Sequence, residues 1–279
     1  MDLKGKIAVV SGATSGIGRA AALKLAGQGV EVLAIGRDAN RGQELEAALR
    51  AASGGKGSFL QADLSLIAEA RRVLGLISAK TPHLDAVILS AGGLEFEATK
   101  TSEGLNKVFV TNFLHKFVLG EGLRPLLARG HGRLVLVAAD IPDKMEPDWA
   151  KFEGAQDYAG VPSLPRMHAA CLSLIQSWAA AWKADGIEVT AIHPGVVDTG
   201  FFRSAKGAWT LLKVIFGLFA TTPDAAAALL CWLAFSPEAA GFSGEFFSAP
   251  KDLKKHKTLQ RPAEAVERVL AVARKAVPN

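Results

Sequence analysis

Ser11-Gly12-Ala13-Thr14-Ser15-Gly16-Ile17-Gly18 follows an apolar run, Ile7-Ala8-Val9-Val10, and leads into Arg19-Ala20-Ala21-Ala22-Leu23-Lys24-Leu25-Ala26, a segment of helical composition that ends near Gly27 and Gly29. The order is strand, glycine turn, helix. Glycines at 12, 16 and 18 allow a tight turn and a close approach of backbone to a ligand, and the start of the following helix offers free N–H groups and a positive dipole end. A dinucleotide or another phosphate-bearing ligand is the first expectation; the plain alternative is a Gly-rich strand-to-helix turn with no ligand.

Working outward, apolar runs and helical segments alternate. Glu31 to Ile35, Ser58 to Ala62, Ala86 to Leu89, Arg133 to Val137, Glu188 to Ile192 and Glu245 to Phe247 read as further strands. Between them lie helices over Arg41 to Ala52, from Ser65 (placed to cap it) to Lys80, and roughly over Ser102 to Ala128. A further helix follows Pro165, and another starts at Thr222-Pro223-Asp224, with Thr as cap and Pro in the first turn. Strands that are continuously apolar belong to a parallel sheet covered on both faces. The expected fold is therefore α/β, a doubly wound parallel sheet of about seven strands with helices on both faces, a Rossmann fold. One domain over residues 1–279 is expected, with a lid-like insertion at about 198–222.

Composition narrows the function. The chain has 279 residues, 49% of them hydrophobic, enough for one large core. The net charge of +5 comes from scattered residues, with one cluster from Lys251 to Lys257, so no nucleic-acid partner is expected. The six histidines show no ligand spacing, so no metal is expected. Cys171 and Cys231 sit in apolar runs, which suits a reducing compartment and a cytoplasmic location. Residues 1–6 run straight into the first strand, leaving no space for a signal peptide, and no apolar run is long enough to span a membrane.

These motifs together resemble the short-chain dehydrogenase/reductase family, and the retinol-dehydrogenase-like branch most. Besides the glycine turn, the resemblance rests on Asp63, on Ser90-Ala91-Gly92, on Asn112 in Val110-Thr111-Asn112-Phe113, and on His193-Pro194-Gly195-Val196-Val197-Asp198-Thr199. It implies cofactor contacts from Gly12, Thr14, Ser15, Gly16, Ile17 and Gly18. It implies others from Arg37, Asp63, Leu64, Ala91 and Gly92, and from His168, Pro194, Gly195, Val197 and Thr199. An acid at the end of strand two would bind a ribose 2′-hydroxyl and repel a 2′-phosphate; here Gly36-Arg37 stands there and Asp38 comes one step later. NADP(H) is favoured, with NAD(H) the alternative, and Arg19 is a second candidate for phosphate.

The family's serine, tyrosine and lysine are not where the resemblance places them. Ala139 falls at the serine position, and counting back from His193-Pro194-Gly195 puts Leu164 at the tyrosine and His168 at the lysine. The one tyrosine, Tyr158, has Pro162 four residues on. Candidates to move a proton are Asp140, Tyr158 and His168, beside Asn112, with His168 best tuned for neutral pH. The plain readings are a turn acid, a loop aromatic and a ribose hydrogen-bonder. The segment from Asp140 to Trp149 is either an acid-bearing wall of the site or a solvated loop.

Three functions stay open. One is an NADP(H) oxidoreductase acting on a hydrophobic carbonyl or alcohol with a substituted proton relay. Another is an enzyme of the same fold performing cyclisation, isomerisation or dehydration in an apolar cavity walled by Phe201, Phe202, Trp209 and Phe216. The third is a non-catalytic nucleotide-binding scaffold. The apolar stripe Met167, Cys171, Leu174, Trp178, Trp182 lies on the helix that commonly pairs in the family, which implies a homodimer or homotetramer; internal core is the alternative.

Overall fold

The structure, a computed structural model, describes residues 2–93, 95–154, 158–195, 222–248 and 256–277. The expected insertion at 198–222 lies outside the described residues except for Thr222, as do Val197 and Thr199.

Strand β1 (Ile7–Ser11) lies between β2 (Glu31–Gly36) and β4 (Ala86–Leu89), and β3 (Ser58–Gln61) pairs with the far side of β2. Beyond β4 the sheet continues through β5 (Arg133–Val137), β6 (Glu188–His193) and β7 (Glu245–Ser248), all parallel. The expected seven strands become eight: β8 (His256–Thr258) adds antiparallel to β7, completing the order β3-β2-β1-β4-β5-β6-β7-β8. A three-residue strand of sequence His-Lys-Thr is too short and polar to announce itself by periodicity.

Side chains along each strand alternate between two cores, as the two-residue period of a strand requires. Val9, Leu33, Val87 and Leu134 pack with helices α3 (Ile67–Lys80), α5 (His115–Gly130) and α7 (Gly160–Ala181). Ala8, Val10, Val32, Ile88 and Val135 pack on the other face, with α1 (Gly16–Ala26), α2 (Ala39–Ser53) and α8 (Pro223–Phe235). The order of strands reverses between β1 and β4, so the loops after them diverge and leave a crevice at their carboxyl ends. Across that crevice the loops touch: a Cβ on Gly12 would lie 2.9 Å from the Ala91 amide nitrogen.

Two local expectations are corrected. Helix α3 has Leu66 at its N-cap with no side-chain bond of its own, and Ser65 Oγ donates to Asp63 instead. The capping acceptor comes from far along the chain: the Glu103 carboxylate takes the N–H groups of Ile67 and Ala68 at 2.7 and 2.8 Å. Helix α7 begins at Gly160, before Pro165, so the proline sits inside its second turn. By contrast Thr222 does cap α8, its hydroxyl accepting from Ala225 N at 3.3 Å.

The stripe expected at a dimer contact is interior. Met167, Cys171, Leu174, Trp178 and Trp182 are each buried within the single chain. Trp178 stacks on Trp182, ring centres 4.8 Å apart, and donates to Glu121. On the same helix Gln176 exchanges hydrogen bonds with the backbone of Arg261, just before helix α9 (Ala263–Ala276). Among the described residues, no helix is long and apolar enough to cross a membrane.

Candidate active site

A cavity of about 740 Å³ runs along the carboxyl ends of the strands, from the glycine turn to the first turns of α7. At the glycine turn it is lined by Gly12, Thr14, Ser15, Gly16, Ile17 and Gly18. Gly12 and Gly16 have φ of 69° and 55°, the left-handed region that glycine occupies without strain. A Cβ on Gly18 would lie 2.4 Å from the Gly12 carbonyl oxygen, so only glycine lets α1 start this close to the turn. Ser15, the N-cap of α1, makes no side-chain capping bond, and the first turn carries no acid. The helix's leading N–H groups and dipole are left for a phosphate. This is the fit a dinucleotide needs.

Arg37, Asp63, Leu64, Ala91 and Gly92 line the same cavity. Asp38 does not share it: its carboxylate caps α2, accepting from Arg41 N at 3.0 Å, and lies 3.5 Å from the Arg41 guanidinium. Arg19 is exposed and is not among the cavity's lining residues.

At the opposite end the cavity meets Asn112, Lys116, Ala138, Ala139, Leu164 and His168, with His193, Pro194 and Gly195 on one flank. The three positions to which the resemblance assigns serine, tyrosine and lysine therefore do face the cavity. Asn112 sits in a π-turn, Val110–Leu114, that joins α4 (Lys107–Phe109) to α5. Such turns break the regular ladder and often mark functional positions. Its amide clasps the loop after β4, accepting from Gly93 N at 3.1 Å and donating to Gly93 O at 2.8 Å.

The three expected proton carriers fare differently. Tyr158 is no part of the cavity lining; it is buried, stacked on Phe109, with its hydroxyl donating to the Asp148 carbonyl. Burial, with Asp148 nearby, pushes its phenol above the usual range, so the structure corrects it to a core aromatic. Asp140 lies off the cavity and is spent on Ser248 Oγ at 2.9 Å and Lys257 Nζ at 3.2 Å. His168 does line the cavity, but burial, with Lys116 and His193 close by, pushes its imidazole down to about 3. It stays neutral at pH 7, contrary to the expectation of a group tuned for neutral pH. Its Nδ1 has no hydrogen-bond partner among the described residues.

Lys116 is the group that sequence reasoning missed. Only 2% exposed, it lines the cavity one helical turn after Asn112, and its Nζ donates to the Val137 carbonyl at 3.0 Å. The four-residue spacing from Asn112 was the available signal, since i and i+4 share a helix face. The segment from Asp140 to Trp149 is neither cavity wall nor simply a solvated loop. Its backbone carbonyls at Pro142, Asp143 and Met145 accept hydrogen bonds from the buried Arg261 guanidinium.

The doubly wound sheet and the crevice at its carboxyl ends define an α/β class of protein, and the comparison with known proteins makes the class specific: the chain belongs to the short chain dehydrogenase family, whose pattern residues 6–208 match. Mouse polyprenol dehydrogenase is 31% identical over 251 residues, covering 87% of this chain and 75% of that protein. Mouse retinol dehydrogenase 14 is 28% identical over 265 residues, covering 90% and 79%. Among solved structures, a short chain dehydrogenase/reductase family protein superposes with a TM-score of 0.66 at 27% identity, covering 90% of this chain and 98% of its own.

Proposed function

We propose that this protein is an NADP(H)-dependent oxidoreductase that moves hydride between the cofactor and a hydrophobic carbonyl or alcohol, through an active site in which Ala139, Leu164 and His168 replace the usual serine, tyrosine and lysine. The observation that carries this reading is the continuity of one cavity from the cofactor-fitting glycine turn to Asn112 and the replaced positions. A nicotinamide bound there supplies or accepts the hydride. The chain's own residues do the rest: the turn holds the pyrophosphate, Asn112 fixes the loop after β4, and Leu164, Pro165, Val108 and Ala138 offer an apolar surface. The names of the polyprenol and retinol dehydrogenases agree with an apolar substrate. Preference for the 2′-phosphorylated cofactor is supported by Asp38, committed to capping α2, and by Arg37 at the cavity.

Titration of the purified protein with NADPH and NADH, followed by nicotinamide fluorescence, tests the cofactor. Micromolar NADPH binding with weaker NADH binding is expected, and failure of both to bind overturns the reading in favour of a scaffold. A second reading, non-redox chemistry in the same cavity, is favoured by the burial of Tyr158 and the ion pair of Asp140. Product formed at equal rates with oxidised, reduced or no cofactor would establish it.

A further inference from the structure

We propose that Lys116 Nζ is the group that gives a proton to, and takes it from, the substrate oxygen in this site. The inference rests on the oxidoreductase reading above and assigns the proton step that reading leaves open.

Position comes first. Lys116 reaches from α5 to the carboxyl end of β5, where Val137 leads directly into Ala138 and Ala139 on the cavity wall. An ammonium has three N–H groups, and the Val137 carbonyl takes one, at 3.0 Å, which aims the headgroup. Among the described residues Nζ has no second hydrogen-bond partner, and Lys116 belongs to the cavity lining, so its remaining hydrogens are open to a ligand oxygen.

The surroundings keep the headgroup from being neutralised by a fixed partner. The titratable groups whose charges bear on this cluster are His115 beside it on α5, His168 and Cys171 from α7, and His193 from β6 through His168. Burial holds both His115 and His168 near 3, so both are neutral at pH 7. Burial raises the Cys171 thiol, which stays protonated and donates to Asn112 O at 3.1 Å. Among the described residues no carboxylate pairs with Lys116. Burial lowers the ammonium's affinity for its proton, with Cys171 pulling weakly the other way. Such an amine changes charge far more readily than a solvated lysine.

In the reducing direction the step balances as follows. As the carbonyl carbon gains the hydride supplied by the reduced nicotinamide, the C=O π pair passes to oxygen. The Nζ–H bond breaks with its electrons remaining on nitrogen, and the O–H bond forms. The neutral amine then takes a proton from solvent. Oxidation runs the same events backwards, with the neutral amine accepting the alcohol proton.

The test uses 2-naphthol, an apolar hydroxyl compound whose neutral and ionised forms absorb differently, titrated with pH in the full-length protein. Wild type is expected to bind it and to raise its ionisation constant at least about tenfold over the free compound, because an adjacent ammonium favours the naphtholate. Lys116→Gln, which can still donate to Val137, is expected to lose that gain while keeping NADPH affinity within about twofold. Lys116→Arg keeps the charge without giving up a proton, and is expected to retain the naphthol effect. Failure of wild type to bind 2-naphthol, an unchanged ionisation constant in wild type, or a full effect in Lys116→Gln each overturns the assignment. The wild-type measurement stands even if the glutamine variant does not fold. Absence of NADPH binding alongside a positive naphthol result refutes the oxidoreductase reading and leaves the lysine's chemistry standing.

Discussion

Lys116 and Val137, one on a helix and one at the end of a central strand, are joined by a 3.0 Å hydrogen bond from side-chain nitrogen to backbone carbonyl, and that bond holds Lys116 beside Ala138 and Ala139 on the cavity lining. A lysine thus reaches this part of the cavity from α5 and not from α7, where the resemblance places the family's lysine.

Cofactor choice should depend on Arg37. Charge-assisted bonds to phosphate contribute about 1.5–3 kcal/mol, roughly tenfold to over a hundredfold in affinity. Arg37→Ala is expected to weaken NADPH by at least about tenfold and leave NADH almost unchanged. Fluorescence titration of both nucleotides measures this, and an equal loss for the two would place Arg37 away from the 2′-phosphate.

Acid should destabilise the fold through His115. Its imidazole is pushed from 6.5 down to about 3 by burial, Lys116 adding to the effect. A depressed folded value means the unfolded chain binds the proton first, so this contribution is intact above about pH 6.5 and lost as pH falls toward 3. Urea unfolding between pH 7.5 and 4 should show stability dropping with pH, and His115→Gln should flatten the slope. An unchanged slope in the variant would remove His115 from the account.

Trp178 should behave as core and not as interface. Trp178→Ala removes a fully buried indole, its stacking on Trp182 and its bond to Glu121, at a cost of about 3–5 kcal/mol. Urea unfolding of wild type and variant at protein concentrations a hundredfold apart is the measurement. The loss should not depend on concentration, whereas an interface residue would make it do so.

Glu103 should matter to α3 more than Ser65 does. Glu103→Ala leaves the N–H groups of Ile67 and Ala68 without their carboxylate, a loss of about 1 kcal/mol typical of a removed cap. Ser65→Ala should cost less, since its hydroxyl serves only Asp63. Denaturant midpoints of the two variants decide the order.

What was legible in the chain was local. The glycine turn, the continuously apolar strands and the Thr222-Pro223 helix start each carry their cause within a few residues, and each sits where the spacing put it. Apart from the short polar strand β8 and the start of α7, the failures were matters of distance. Ser65 is a good capping residue by type, but a carboxylate 36 positions on from Ile67 does the capping. Tyr158 lies beside the site helix in sequence, yet its ring faces Phe109 and the core, a direction that chain position does not encode. The stripe on α7 has the spacing of any buried face, and periodicity cannot say whether the covering partner is this chain or another. Lys116 reads as one more helical lysine until Val137, 21 residues away, is brought beside it.

The bond between Arg261 and Asp143 spans 118 residues, so the segment following Ala139 is synthesised long before the guanidinium that gathers its carbonyls. The carbonyls of Pro142, Asp143 and Met145 therefore meet this partner only once the chain has been made past residue 261, so the loop after β5 is anchored by a part of the chain that does not exist when the loop leaves the ribosome.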